Sequence, residues 1–195
     1  MSGLRQRLAR AARLPGLLRQ SRSGVAAIEF AIIAPLYILL MAGMLNLGGA
    51  IYAKMTLDSA ITSASTYALS KGDSITAAGA TTLADQIAGM LATELGLADS
   101  TISVTVNNGP ALSISGGVKR TNGTAANADL CYCPSASGGD VAWGSAVACA
   151  AQCPNGGFAG KFVSVAASRP FTPMFPVNYI VSVSAFAGSA LTQAQ

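Results

Sequence analysis

An uninterrupted apolar run without a charged residue, from Phe30 to Ala53, restricts the possible folds of this chain more than any other feature. A helix of this length can span the ~30 Å hydrocarbon core of a bilayer, since about 20 apolar residues are enough. The run is longer than the roughly 7–15 apolar residues of a secretory signal, and residues 48–53 offer only a poor small-x-small cleavage site. The sequence therefore predicts one transmembrane helix that ordinary signal peptidase does not remove.

The charged residues are distributed unevenly on the two sides of this run. Six of the twelve Lys and Arg residues lie within the first 22 positions, where there is no acid. Residues 25–195 carry the other six basic residues and all eight acidic ones, which is a net charge of −2. The positive-inside rule then keeps the N-terminus cytoplasmic and sends residues 54–195 across the membrane.

The composition argues against several classes of function. The 195 residues include no histidine, so neither a Ser-His nor a Cys-His couple can form. The acids of the exported part are scattered without a pair, and no basic stripe with interleaved aromatics marks a nucleic-acid face. We therefore expect no enzyme activity, no cofactor or metal, no small-molecule substrate and no nucleic-acid partner.

A glycine and a glutamate mark the start of the apolar run. Gly24 ends the basic leader, and the sequence VAAIEF follows from Val25 to Phe30. Glycine has no Cβ, so a peptidase can draw the backbone at this point into an extended conformation. Glu29 needs a headgroup position or a partner, because an ionised carboxylate within a bilayer is costly. Pro35, inside the run, removes a helical hydrogen bond and predicts a kink.

This combination of basic leader, glycine, glutamate and apolar run resembles the processing site of type IV-like prepilins, and specifically that of the TadE family. The resemblance covers about residues 22–65, including Pro35 and LYILLMAGMLNLGGAIYAKMTLDSA, and is weaker in the cysteine-containing tail. It implies that a prepilin peptidase cuts between Gly24 and Val25. Glu29 then becomes the fifth residue of the mature chain, ahead of the aromatic Phe30, and serves recognition and assembly.

The resemblance also implies what the protein does. We expect a non-catalytic minor pilin or pseudopilin of a Tad (Flp) pilus, anchored in the bacterial inner membrane with its C-terminal domain in the periplasm or in the extracellular pilus. Its partners would be the prepilin peptidase, other minor pilins, the major Flp pilin, the inner-membrane assembly platform and membrane lipid. The alternative is an anchor that is never cleaved and carries a periplasmic binding or structural module.

The rest of the chain predicts an α+β fold with two helices. The helical pattern continues from Val25 to about Ser70 as a stalk. A second helix is predicted from about Ser74 to Leu95, where apolar residues recur at i, i+4, i+7 and i+8 before the C-terminal stop at Gly96.

Alternating residues predict a small antiparallel sheet of about four strands against the second helix. Residues 102–106 and 112–114 alternate on either side of the turn formers NNGP and predict a hairpin. Two further strands are expected around 162–167 and around 177–187. The predicted domains are thus a leader over 1–24, a helical segment over 25–71 with its span at about 30–53, and an exported domain over 72–195.

Four cysteines lie in a Gly-, Ser- and Pro-rich loop over residues 129–158. They are Cys131, Cys133, Cys149 and Cys153. An even number of cysteines in an exported domain predicts two disulfides. Cys131 and Cys133 are too close to pair without strain, which leaves 131–149 with 133–153, or 131–153 with 133–149. A four-thiolate zinc site prefers C-x2-C spacing, which is absent here.

Overall fold

Helices lie at the start of the described chain and strands towards its end. The computed structural model describes residues 23–137, 140–175 and 183–195. The predicted leader lies outside the described residues except for its last two positions. In chain order the elements are α1 (Ser23–Ser70), a 3-10 turn (Gly72–Ser74), α2 (Ala80–Leu95), β1 (Thr101–Val106), β2 (Ala111–Ser115), β3 (Val118–Asn122), a second 3-10 turn (Ala125–Asp129), β4 (Ser135–Ser137), β5 (Asp140–Ala142), β6 (Phe162–Pro170) and β7 (Ala185–Gln193).

The long first helix confirms the prediction of continuous helix to about Ser70. Its sequence is rich in Ala, Leu and Ile, and its one internal proline does not interrupt the assigned helix. The chain divides into two compact units within this helix, one ending at Asn46 and the other comprising Leu47–Gln195. The C-terminal part of α1 therefore belongs to the same unit as the sheet.

Helix α2 begins at Ala80, so the predicted start near Ser74 is wrong, whereas the predicted end at Leu95 is confirmed. The preceding residues form turns instead, because Thr76 Oγ1 accepts a hydrogen bond from the Gly79 N–H at 3.1 Å. Ser and Thr side chains compete in this way with helical backbone hydrogen bonds. A Cβ on Gly79 would come within 2.5 Å of the Ser74 carbonyl oxygen, so this turn requires glycine.

The sheet has five antiparallel strands in the order β3-β2-β1-β6-β7, one more than expected. The predicted hairpin is confirmed, and it pairs Ile102 with Ile114 and Val104 with Leu112. Two turn residues, Asn107 and Asn108, have φ values of 51° and 54°, as two-residue I′ turns require.

The other strands differ more from the expectation. Strand β6 confirms the strand predicted around 162–167. The strand predicted around 177–187 falls partly on residues 176–182, outside the described residues, and β7 begins only at Ala185. Strand β3 was not expected, because all five of its residues are exposed and no apolar alternation marks it.

One core lies between the helices and one face of the sheet. Alternate residues of β1, β2 and β6 are buried on that face. The helices contribute Leu57, Ala60, Ile61, Ala64 and Ala68 from α1 and Ala80, Leu83, Ala84, Ile87, Ala88, Leu91, Ala92 and Leu95 from α2. The last turns of α1 are thus part of the core of the unit Leu47–Gln195.

Candidate functional site

The first part of α1 exposes large apolar side chains on all sides. Phe30 and Ile32 are 73% and 72% exposed. The others in this part are Val25, Ile28, Ile33, Leu36, Tyr37, Ile38, Leu39 and Leu40. Contiguous apolar surface of this extent is rare on soluble monomers and marks contact with membrane or protein. By length and composition, α1 can cross a membrane, and no other helix of the described chain can.

The residues of the predicted processing site lie at the beginning of this helix. Gly24 and Val25 are in its first turn, and both are exposed. A Cβ placed on Gly24 would meet no atom within 4 Å, so packing does not require glycine there. Packing within the fold therefore does not explain why this position is glycine.

Glu29 lies one helical turn after Val25, on the same face of α1. The carboxylate is exposed, and neither ion pair found among the described residues includes it. Phe30 follows on the adjacent face. An α-amine at Val25 would thus lie one helical turn from the carboxylate of Glu29.

Pro35 lies inside α1 and donates no backbone hydrogen bond, because proline has no N–H group. The carbonyl of Ala31, one turn earlier, therefore receives no i+4 hydrogen bond from residue 35. The assigned helix continues through this position, and the predicted kink remains a prediction.

Lys54 is the first charged residue after Glu29, and its sequence context predicts no role for it. Its ammonium group lies 2.6 Å from Asp58 Oδ1 and donates a hydrogen bond to the Ala187 carbonyl at 3.3 Å. The lysine thus connects the end of the apolar run to strand β7. The i, i+4 spacing of Lys54 and Asp58 was the only signal in the sequence, and it does not reveal the contact with β7.

Both predicted disulfides are present, and the structure distinguishes between the two pairings left open. Cys131 is bonded to Cys149 and Cys133 to Cys153, with Cα separations of 5.1 and 5.6 Å. Cys131 and Cys153 belong to a small buried cluster with Ala159. The cysteine loop, residues 129–158, therefore packs around a small buried cluster that is separate from the main core.

A buried asparagine attaches this loop to the sheet. Asn107 Nδ2 donates to the carbonyls of Ala128 at 3.0 Å and Leu130 at 2.6 Å, while its Oδ1 accepts from the Phe162 N–H at 3.2 Å. The turn formers in the sequence predict the hairpin, but they do not predict that the Asn107 side chain also binds the backbone of the cysteine loop.

The N-terminal helix also matches a known family. Residues 24–65 match the family model described as TadE-like protein. This segment is TadE-like. The match begins at Gly24 and includes the apolar surface, the glutamate and the Lys54–Asp58 pair. It agrees with the resemblance seen in the sequence.

The match covers 42 of the 195 residues. The segment ends at residue 65, so the sheet and the cysteine loop lie outside the match. No curated protein and no solved structure matches the chain.

Proposed function

We propose that this chain is a minor pilin or pseudopilin of a Tad pilus, cleaved by a prepilin peptidase between Gly24 and Val25 and assembled through α1. The TadE-like match carries the proposal, because it starts at the glycine where the basic leader meets an exposed apolar helix. The same proposal puts the N-terminus in the cytoplasm and the sheet in the periplasm or in the fibre.

The geometry of α1 is compatible with cleavage at this position. Gly24 and Val25 are both exposed, so a peptidase at the membrane face can reach the backbone between them. Cleavage there leaves a mature chain with a net charge of −2, since six basic and eight acidic residues follow Gly24.

The new α-amine and Glu29 then provide a device for assembly. When apolar helices pack side by side, an amine on one subunit and a carboxylate on its neighbour attract strongly at low dielectric. This attraction offsets part of the desolvation penalty and fixes the axial register. The minor pilins and the major Flp pilin are the partners that this contact would serve.

Cleavage is tested by expressing the full chain with and without the cognate prepilin peptidase and measuring its intact mass. We expect a mature chain that begins at Val25. Gly24→Val should remain uncut, because a β-branched side chain blocks access to the backbone. Gly48→Val is the matched control, since a Cβ at either glycine meets no atom within 4 Å. A wild-type chain that keeps Met1 beside an active peptidase would favour the uncleaved anchor.

The role of Glu29 is tested separately from cleavage. Glu29→Ala and the isosteric Glu29→Gln should both be cleaved and inserted into the membrane. Both should be recovered less often in pilus fractions or in crosslinks with other pilins, because the pairing charge is gone. Wild-type levels of assembly in both variants would contradict the proposed amine-carboxylate contact.

A further inference from the structure

Strand β7 runs alongside α1 in the same direction as the helix. Near the start of β7, the Ala187 carbonyl accepts the hydrogen bond from Lys54. Near its end, Gln195 Nε2 donates to Asp73 Oδ1, just beyond the helix, at 3.1 Å. Val183 and Ser184, the described residues just before β7, therefore lie at the end of β7 that is nearest Lys54.

Phe171 directly follows β6 and packs against the start of β7. Its N–H donates to the Ser184 carbonyl at 2.9 Å, and its ring lies 5.5 Å from the Phe186 ring between centroids. The same ring lies 3.8 Å from the position of a Cβ on Gly49. Gly49 is five residues before Lys54, which is about 7 Å along a helix axis at ~1.5 Å per residue.

The described residues beside Phe171 expose apolar side chains and carry no charge. Met174 is 81% exposed, and Phe175 and Val183 are each 40% exposed. No charged residue occurs between Arg169 and the end of the sequence. We call Phe171–Phe175 with Val183 and Ser184 the membrane-proximal loop.

We propose that the membrane-proximal loop is a second membrane contact, which inserts Met174 and its apolar neighbours into the interfacial region of the bilayer. The inference rests on the proposed function, because it takes α1 as the membrane span. The interfacial zone on each side of a bilayer is roughly 5–8 Å thick. With Lys54 at the outer edge of this zone, the contact of Phe171 near Gly49 lies within it, because the two positions on α1 are about 7 Å apart. Aromatic side chains are also enriched at this level.

Lipid fits this surface better than a protein partner of complementary charge. Two further exposed apolar side chains, Ile51 and Tyr52, lie within three residues of Gly49 in the last part of the run. It offers no charged side chain with which to recognise an acidic or basic partner. Lipid contact would fix the exported domain against the bilayer through two elements instead of the helix alone.

The single tryptophan of the chain makes a depth measurement possible. Trp143 packs edge-on against Tyr132, and Trp143→Phe keeps an aromatic ring at that contact. In this background, Met174→Trp is introduced into the full chain. The protein is reconstituted into phosphatidylcholine and phosphatidylglycerol vesicles with brominated acyl chains. We expect the emission of Met174→Trp to be blue-shifted and to be quenched by the brominated lipid.

Two matched variants in the same background complete the experiment. Phe158→Trp, at a residue 63% exposed, lies beside Gln195 at the other end of β7 and should not be quenched. Leu40→Trp, within the apolar run, should be quenched and reports the membrane span itself.

The outcomes separate the inference from the proposed function. Quenching of Met174→Trp above that of Phe158→Trp supports lipid contact. Quenching equal to that of Phe158→Trp overturns it, provided that Leu40→Trp is quenched. Blue-shifted but unquenched emission from Met174→Trp also overturns it, because protein then covers the loop. An unquenched Leu40→Trp would mean that the membrane span has failed, and the inference with it.

Discussion

At the scale of single residues, Asn107 joins the cysteine loop to the sheet. Its side chain is fully buried and satisfies backbone groups of two separate segments. Asn107→Ala leaves these groups buried without partners and also places alanine at a φ of 51°. We expect this variant to be less stable than Asn108→Ala by ~1–3 kcal/mol, the usual cost of such unsatisfied groups.

Asn108→Ala is the matched control because Asn108 has a φ of 54° and a partly exposed side chain. Both variants therefore carry the same left-handed backbone penalty, and their difference isolates the side-chain hydrogen bonds. Urea unfolding of the full chain in detergent, followed by circular dichroism, measures it. Equal losses of stability in the two variants would show that the asparagine side chain does not anchor the loop.

At the scale of elements, the sequence predicts the helices and strands that bury one face, but it does not predict the strands at the two edges of the sheet. The apolar stripe of α2 and the alternation in β1, β2 and β6 reflect burial, so pattern alone identifies them. The edge strands β3 and β7 have one neighbour each, and VKRTN and AFAGSALTQ show no such pattern. Their pairing depends on tertiary contacts that no short window of sequence contains.

The candidate site shows the same division between local and distant information. Gly24, Val25, Glu29 and Phe30 form a local motif, so the sequence could indicate them. The contacts of Lys54 with β7 and of Phe171 with Gly49 join residues more than a hundred positions apart. Disulfide pairing is also a distant property, which is why the spacing of the cysteines left two arrangements open.

The two disulfides should stabilise the C-terminal unit by similar amounts. They join residues 18 and 20 positions apart, and closing loops of that size contributes ~3 kcal/mol each in the chain-entropy description. Cys131→Ser/Cys149→Ser should therefore lower the free energy of unfolding by about that amount and contain no free thiol, because the other pair remains. Urea unfolding and thiol titration measure the two quantities.

A mismatched double variant provides the control for the pairing. Cys131→Ser/Cys153→Ser removes one partner from each disulfide, so Cys133 and Cys149 should both titrate as free thiols. A variant of this kind with no free thiol, alongside free thiols in Cys131→Ser/Cys149→Ser, would favour the alternative pairing.

At the scale of the whole molecule, α1 has two tasks that divide along its length. Its first part presents exposed apolar side chains, whereas Leu57 and Ile61 are buried in the core with α2 and the sheet. The TadE-like match spans both parts. The unit Leu47–Gln195 and the exposed apolar segment before it therefore share one helix, so removing the whole of α1 also removes core residues.

This division predicts which fragments fold. A fragment of residues 54–195 keeps every core residue of α1 and omits the uncharged run, so we expect a soluble protein that unfolds cooperatively. A fragment of residues 72–195 loses Leu57, Ile61 and three buried alanines. Loss of a buried Leu or Ile side chain costs ~2–5 kcal/mol each, which is comparable with the ~5–15 kcal/mol that stabilises a whole domain.

Both fragments are produced in an oxidising compartment, so that the disulfides form in each, and are compared by thermal unfolding and by NMR chemical-shift dispersion. The shorter fragment should show poor dispersion and no cooperative transition. Adding residues 54–71 as a separate peptide should restore part of the transition, because the peptide returns the missing side chains to the core and its binding is coupled to folding. Cooperative unfolding of the shorter fragment on its own would mean that α1 contributes little to the core, and the division of its two tasks would be wrong.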